Sequence, residues 1–487
     1  MGSAGIYCYK GHPVREIKKW IEELYAFGSR RAGSPVGHEV EDYVEEQFKL
    51  IGLKEVRRQP IPLTYWDCTG HSLWVDGEKI SSSFIPFTEF TDQEGVSGEI
   101  VHLNPDDPAI ESVDLKGKIV LVDICFPMLK GNVLKLLALD MHDPDNSIPD
   151  GPIHEATWIR LNWELYEWAH KRGAVGFIGI LKDQPGGYHS YYAPYGFKEG
   201  DRILDKPIPG LWVSKFDRDE LLRFAREERI ASIVLTGSAN PSQSANILGQ
   251  IKGESPETII VASHHDSPFQ NAVEDSSGMA VLFSLAKKLA QAGTPKRTIQ
   301  FMATAGHFYG SIGTIEYIKQ NRESLDNVVA EIHIEHIGLE AKEQNGELVM
   351  TGATEPAAVF TPYNRACVRM VKDFLVAQDL RRTLVLGAHG PLGEFPPTDG
   401  GDFYLEGVPV FNYICNPVYL LVDADDLSRI DWERLVPVRE GFHQLIEELN
   451  GCDPTELRKT QFPLKRALAT VMTFLAKRKN KSRFGTG

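Results

Sequence analysis

The sequence predicts an α/β fold: a mixed, mostly parallel sheet flanked by helices, with a β-rich domain inserted into it. Three observations carry that expectation. From Ile247 onward, apolar runs of strand length alternate with runs of helical periodicity. Between about Gly95 and Gly237 the helices thin out and short β runs take over. The chain, at 487 residues, is also longer than a single hydrophobic core usually grows.

The elements follow in chain order. Residues 13–52 read as two amphipathic helices, with the run broken at "GSRRAGSP". After a strand-rich stretch, "GEIVHL", "GKIVLVDI", "AVGFIGIL", "PIPGLWVS" and "ASIVLTG" read as short strands. One helix, "WIRLNWELYEWAHKRG", is expected among them. "SANPSQSAN", Ser238 to Asn246, has the composition of a linker. Beyond it, the strands "TIIVASHHD", "RTIQFMATAG" and "NVVAEIHIEHIG" alternate with the helices "SGMAVLFSLAKKLAQAG" and "GTIEYIKQNRE". "VPVFNYI" is a further strand, and a helix from Arg434 to Leu449 closes the unit. "LKRALATVMTFLAKRKNKSR" reads as a docked terminal helix with a basic end. The expected division is therefore an α/β domain over 12–94 and 240–460, an insert over 95–239, and a C-terminal helix and tail over 461–487.

Bulk properties exclude several classes. A composition of 42% hydrophobic and 24% charged residues is ordinary for a soluble globular protein. A net charge of −15 argues against nucleic acid or an anionic membrane as partner, since both need a basic surface. Six dispersed cysteines with no CxxC pair favour reduced thiols and a cytoplasmic location. The first residues show no secretory pattern, and the Met-Gly start has Ile6 where myristoylation needs Ser or Thr. No segment approaches the roughly 20 apolar residues of a membrane span. Composition sets no oligomeric state, and a homodimer is compatible with it.

In open α/β sheets, ligands bind beyond the carboxyl ends of the strands. Those ends here collect imidazoles and carboxylates: His264, His265 and Asp266; Glu274 and Asp275 in the following turn; His307; and His333, Glu335 and His336. Such groups gathered from several strand ends are what a metal site requires. Strand alternation puts His265 and His336 on the face opposite their neighbours, towards the core, and His333 on the face of Glu335.

The stretches "ASHHDS", "NAVEDSSG", "FMATAGHFYGSIGT", "IEHIG", "TDGGDFYLEGVP" and "YLLVDADDLSRID" occur in the order of a known pattern. That order resembles the zinc aminopeptidases related to glutaminyl cyclases and glutamate carboxypeptidases, whose motifs read approximately "GxHxDS…GAxDDASG…FxxxxxEExGxxGS…LDMxG…SDHxxF…GxP…YHTxxDT". The resemblance covers about 12–450 and implies a three-layer zinc-peptidase fold with a protease-associated insert. It also implies one metal on His264, Glu274 and Glu335, with Asp266 orienting the imidazole. The private ligands of the family's second metal fall on Phe308 and Leu421, neither of which coordinates anything. The implied cofactor is thus a single divalent metal, Zn²⁺ by the family's habit.

The family's general base is a glutamate, and His307 stands in its place; an imidazole is suited to that work. Phe308 is expected to offer an apolar surface to substrate. His389, in a Gly/Pro-rich loop of the kind that covers pockets, and Asp399, matching the Asp of "SDH", are further substrate-binding candidates. Three readings stay open: a single-metal hydrolase of an amide, small peptide or acylated amino acid; a lyase, cyclase or isomerase on a small metabolite; and a metal-free pseudo-peptidase that binds a ligand.

Overall fold

The computed structural model describes residues 12–193, 207–390 and 393–479. The Met-Gly start, Cys8 and the basic end of the tail lie outside the described residues.

Two helices, His12–Ala26 and Pro35–Ile51, open the chain. Ser34 caps the second by accepting the Gly37 N–H, and Gly52, at φ 99°, ends it in the left-handed conformation that glycine tolerates. A continuous sheet then runs through the molecule. Its central strands are Arg297–Thr304, Ser255–His264, Val328–Ile334 and Val410–Cys415, all mutually parallel. Ala357–Thr361 and Thr383–Gly387 extend it on one side, the first antiparallel to Val410–Cys415. The helices Gly278–Gln291, Arg365–Ala377 and Leu435–Gly451 cover it. Thus the α/β architecture, mixed and mostly parallel, is the observed one.

On the other side, Ile230–Ile251 pairs antiparallel with Arg297–Thr304 and also with Val96–Leu103. Val96–Leu103, Ile119–Ile124, Gly176–Leu181 and Gly210–Ser214 then continue as parallel neighbours. These four strands fall within 95–239. The same segment also reaches the far edge of the sheet, where Asp140–His142 pairs with Thr383–Gly387.

Two local expectations are corrected. Ser238–Asn246 is not a linker but the middle of the strand Ile230–Ile251, paired residue by residue with Lys54–Val75. Ladder pairing to that partner overrides the turn-like composition. The helix expected over 158–173 is formed only at Leu165–Lys171. The preceding residues instead form turns that carry Thr157–Ile159 to the sheet's carboxyl end.

The five described cysteines are free. No helix among the described residues is long and apolar enough to cross a membrane.

Candidate active site

The strands Ser255–His264, Arg297–Thr304 and Val328–Ile334 end together, and each hands a polar turn to the same point. His264 ends the first strand, fully buried. Its Nδ1 lies 3.0 Å from the Asp266 carbonyl, so Nδ1 carries the proton and donates it. His264 Nε2 faces Glu274 Oε1 at 3.0 Å. Glu274 is held by its backbone: its N–H donates to Asp425 Oδ2 at 2.8 Å, and its carbonyl accepts from Arg30 Nη2 at 3.1 Å. The peptide bond joining Glu274 to Asp275 is cis.

His307 begins a single 3₁₀ turn, His307–Tyr309, after Gly306 in left-handed conformation. Its Nδ1 donates to Asp399 Oδ1 at 2.7 Å. Asp399 also accepts from Thr304 Oγ1 at 2.9 Å and Ser311 Oγ at 2.8 Å, so it is a clamped orienting group. It is fully buried and is not among the residues lining the cavity, which corrects its expected contact with substrate. Burial opposes charge on both partners. Each is nevertheless the other's counter-ion, so His307 is raised above its ordinary pKa and Asp399 falls below its own.

Glu335 receives the Asp399 N–H at 3.2 Å on Oε1, and the same oxygen lies 3.0 Å from His333 Nε2. His333 Nδ1 in turn lies 3.0 Å from Glu331 Oε1. Burial works against the imidazolium, but these two flanking carboxylates push His333 up to about 10. Gly400, where the resemblance has a histidine, makes room for this chain: a Cβ there would meet Asn412 Nδ2 at 1.9 Å and Glu331 Oε2 at 2.5 Å.

His336 is the residue that sequence reasoning misplaced. The strand ends at Ile334, and His336 takes φ 54°, so strand alternation no longer applies to it. Its Nδ1 lies 3.0 Å from the Cys415 carbonyl and its Nε2 lies 2.8 Å from Glu274 Oε2. Burial lowers its basicity, yet Glu274 outweighs that and lifts it to about 9. His265, by contrast, points into the core as expected, with Nε2 3.0 Å from the Ala245 carbonyl. Also missed were Arg30, visible only as part of a helix break, and Asp425, which accepts two backbone N–H groups of the Glu274 turn.

Asp266 supports the site through two atoms. Its carbonyl takes the His264 proton, and its Oδ1 accepts the His307 N–H at 3.3 Å. Phe308 is buried and is not among the residues lining the cavity, contrary to expectation. In the tight turn its ring stays edge-on to the His307 ring, 5.0 Å between centroids, and packs edge-on against Tyr192 at 5.5 Å. Leu421 does line the cavity. His389 lies apart from it, with Nε2 3.1 Å from Thr470 Oγ1 and Nδ1 3.2 Å from the Glu394 carbonyl. The loop turns that ring towards the C-terminal helix instead of inward.

The cavity above these groups has a volume of about 280 Å³. Glu274, His307, Glu335 and His336 form its polar floor, and Trp158, Ile159, Phe395, Pro397, Leu420 and Leu421 are among its apolar walls. No lysine or arginine is among the described residues lining it.

The donor set suits a cation. His264 Nε2, Glu274 Oε1, His336 Nε2 and Glu335 Oε2 are buried without a hydrogen-bond partner. Converging lone pairs of this kind are costly unless a cation sits among them. Among the described residues, two groups bring ligand atoms within 4.8 Å of one another: His264, Glu274 and His336, and His264, His307 and Glu335. The expected trio of His264, Glu274 and Glu335 is not one of those groups.

Residues 246–446 match the model of peptidase family M28. The segment is thus similar to an M28 peptidase domain. Within it lie the strand ends and turns just described. The chain is 34% identical over 100 residues to aminopeptidase NAALADL1 of Mus musculus, a match covering 19% of this chain and 13% of that protein. It is 26% identical over 136 residues to a glutamate carboxypeptidase 2 homolog of Caenorhabditis elegans, covering 26% of this chain and 18% of that one. The matches therefore span under a fifth of these relatives' length. In fold, the chain is similar to a peptidase M28 precursor from Shewanella amazonensis SB2B, with TM-score 0.66, 18% identity and coverage of 90% and 92% of the two chains. It is likewise similar to BSAP, a zinc aminopeptidase from Bacillus subtilis, with TM-score 0.65, 16% identity and coverage of 91% and 97%. The M28 fold is thus shared, and the chain is zinc aminopeptidase and glutamate carboxypeptidase-like.

Proposed function

We propose that this M28 chain is a metal-dependent hydrolase of an amide whose flanking group is apolar and uncharged. The observation that carries the reading is the Asp399–His307 dyad, whose Nδ1–H···Oδ1 bond of 2.7 Å leaves His307 Nε2 to face the cavity. His264 and Glu274 hold the metal in this reading. A divalent ion there, zinc by the habit of the relatives, supplies Lewis-acid polarisation of the amide carbonyl. His307 Nε2 takes the proton of the attacking water and returns it to the leaving nitrogen. Asp399 keeps the imidazole in the tautomer that allows this.

The apolar walls exclude water and accept a hydrocarbon or aromatic group. With no lysine or arginine among the described lining residues, the apolar walls away from the polar floor offer no counter-charge to an acidic side chain. Thr157, Trp158 and Ile159 belong to the 95–239 segment, which in this reading is an inserted domain that closes the pocket and shapes its specificity.

A panel of amides with apolar, acidic and basic flanking groups, offered to metal-replete protein, tests this. Apolar amides should turn over fastest. His307→Gln should lower kcat by about 10²–10⁴ with KM little changed. Absence of turnover across the panel would sink the hydrolase reading, and preference for acidic substrates would sink the specificity.

A further inference from the structure

We infer that His336 supplies the third protein ligand of the metal, with His264 and Glu274, and that Glu335 does not. This rests on the proposed metal dependence and goes beyond it by assigning the ion's place. Two imidazoles approach the Glu274 carboxylate from different directions: His264 Nε2 is 3.0 Å from one oxygen and His336 Nε2 is 2.8 Å from the other. Their rings cross at 85°, with centroids 6.2 Å apart. Both are set as ligands by the same device, an Nδ1 held 3.0 Å from a backbone carbonyl, of Asp266 in one case and Cys415 in the other. A carbonyl only accepts, so each Nδ1 keeps its proton, and in the neutral, ligating form each Nε2 lone pair points at a carboxylate. An ion among these three atoms turns that repulsion into coordination.

The backbone is shaped to the same end. His336 is held at φ 54°, a region costly for a residue with a side chain, and its N–H is anchored to Asp275 Oδ1 at 3.0 Å. Asp275 is itself fixed by Ser263 Oγ at 2.6 Å and the Gly278 N–H at 3.1 Å.

The competing trio of His264, His307 and Glu335 fails on geometry. The rings of His264 and His307 are stacked, with centroids 4.2 Å apart and planes 10° from parallel. An imidazole binds a metal in its own plane at about 2.0–2.1 Å. An ion in the plane of one stacked ring lies too far from the plane of the other to be bound by both. Glu335 Oε1 is moreover engaged by the Asp399 N–H and lies 3.0 Å from His333 Nε2, which leaves only its Oε2 unpartnered. Since His264 Nε2 has one lone pair, the two trios cannot be filled together, and the site holds one ion. His307 is thereby left free for its proton.

The test is metal binding to the full-length chain, independent of turnover. Chelator-stripped protein is titrated with Zn²⁺ in competition with a chromophoric chelator, and with Co²⁺ followed by its visible absorption. The set is wild type, His336→Ala, His336→Asn and Glu335→Gln; asparagine tolerates the left-handed backbone at 336. Circular dichroism of each stripped variant checks that it is folded. The expected result is about one ion per wild-type chain, affinity lowered on the order of a hundredfold or more in both His336 variants with an altered Co²⁺ spectrum, and Glu335→Gln within about tenfold of wild type. Loss of the ion in Glu335→Gln with retention in folded His336 variants would overturn the assignment, as would two ions per chain or none. One ion bound as expected without amide turnover would leave the assignment standing and remove the hydrolase reading.

Discussion

Arg30 is the hidden support of the site, and its removal has a calculable cost. The guanidinium is 1% exposed and makes four hydrogen bonds into the turn that carries the ligands. It reaches the His265 carbonyl at 2.9 Å, the Asn271 carbonyl at 3.3 Å, the Glu274 carbonyl at 3.1 Å and Ser276 Oγ at 2.9 Å. Burial lowers its pKa to about 10, although Asp275, Asp266, Glu274 and Asp425 all pull the other way, so it stays charged at neutral pH. Arg30→Ala strands these acceptors, each worth about 1–3 kcal/mol when buried and unmet. It also strips the nearby carboxylates of their cation. Against this stands the recovered cost of burying the guanidinium. The net loss should be about 3–5 kcal/mol, a large part of an ordinary domain's stability. Arg30→Lys keeps a charge but not the planar fork, so it should recover only part of this. Urea unfolding read by circular dichroism gives the overall change, and amide hydrogen exchange over 264–278 localises it. An Arg30→Ala midpoint within about 1 kcal/mol of wild type, with unchanged exchange in that turn, would refute the reasoning.

Two further outcomes follow from single contacts. His154 Nε2 and Glu355 Oε1 form a buried pair at 2.8 Å, linking the 95–239 segment to the turn before the strand Ala357–Thr361. Burial alone would lower the His154 pKa, but Glu355 reverses this and raises it. The pair's stabilisation is therefore full below the unfolded value of about 6.5 and fades as pH rises through the elevated folded value. The difference in melting temperature between wild type and Glu355→Gln should shrink as pH rises from about 6 to 9; a difference that grows would contradict the assignment. Trp158 forms a cavity wall from the same segment. Trp158→Ala should raise KM for apolar amides by roughly tenfold with kcat nearly kept, a loss of about 1–2 kcal/mol of binding common to ground and transition states. A fall confined to kcat would instead place Trp158 in the chemistry.

The strand ends that build the site were legible because buried parallel strands advertise themselves as apolar runs, and the polar residues ending those runs stand out. His264, Glu274, Glu335 and His307 were found that way; the structure sets the last three on the cavity floor and His264 against Glu274 beside them. His333 was legible from period-two alternation with Glu335, since both lie at the end of the same strand. The same rule misled at His336, two residues past the strand's end, where a left-handed backbone turns the ring back to the site. Phe308 and His389 were misjudged for a related reason: a turn's direction is set by what it packs against, the rings of His307 and Tyr192 in one case and the C-terminal helix in the other.

By itself, the sequence determined the layered α/β architecture, the order of its elements and the chemical types gathered at the strand ends, because periodicity and motif order are local properties. Tertiary structure alone decided which lone pairs face one another. It set the ring of His336 across that of His264 and stacked the ring of His307 upon it. It brought Arg30 beneath a turn some 240 residues away in sequence. It also made a strand of Ser238–Asn246 by supplying a partner. Coordination, clamping and ladder pairing depend on directions and distances between segments, and those exist only once the chain has closed.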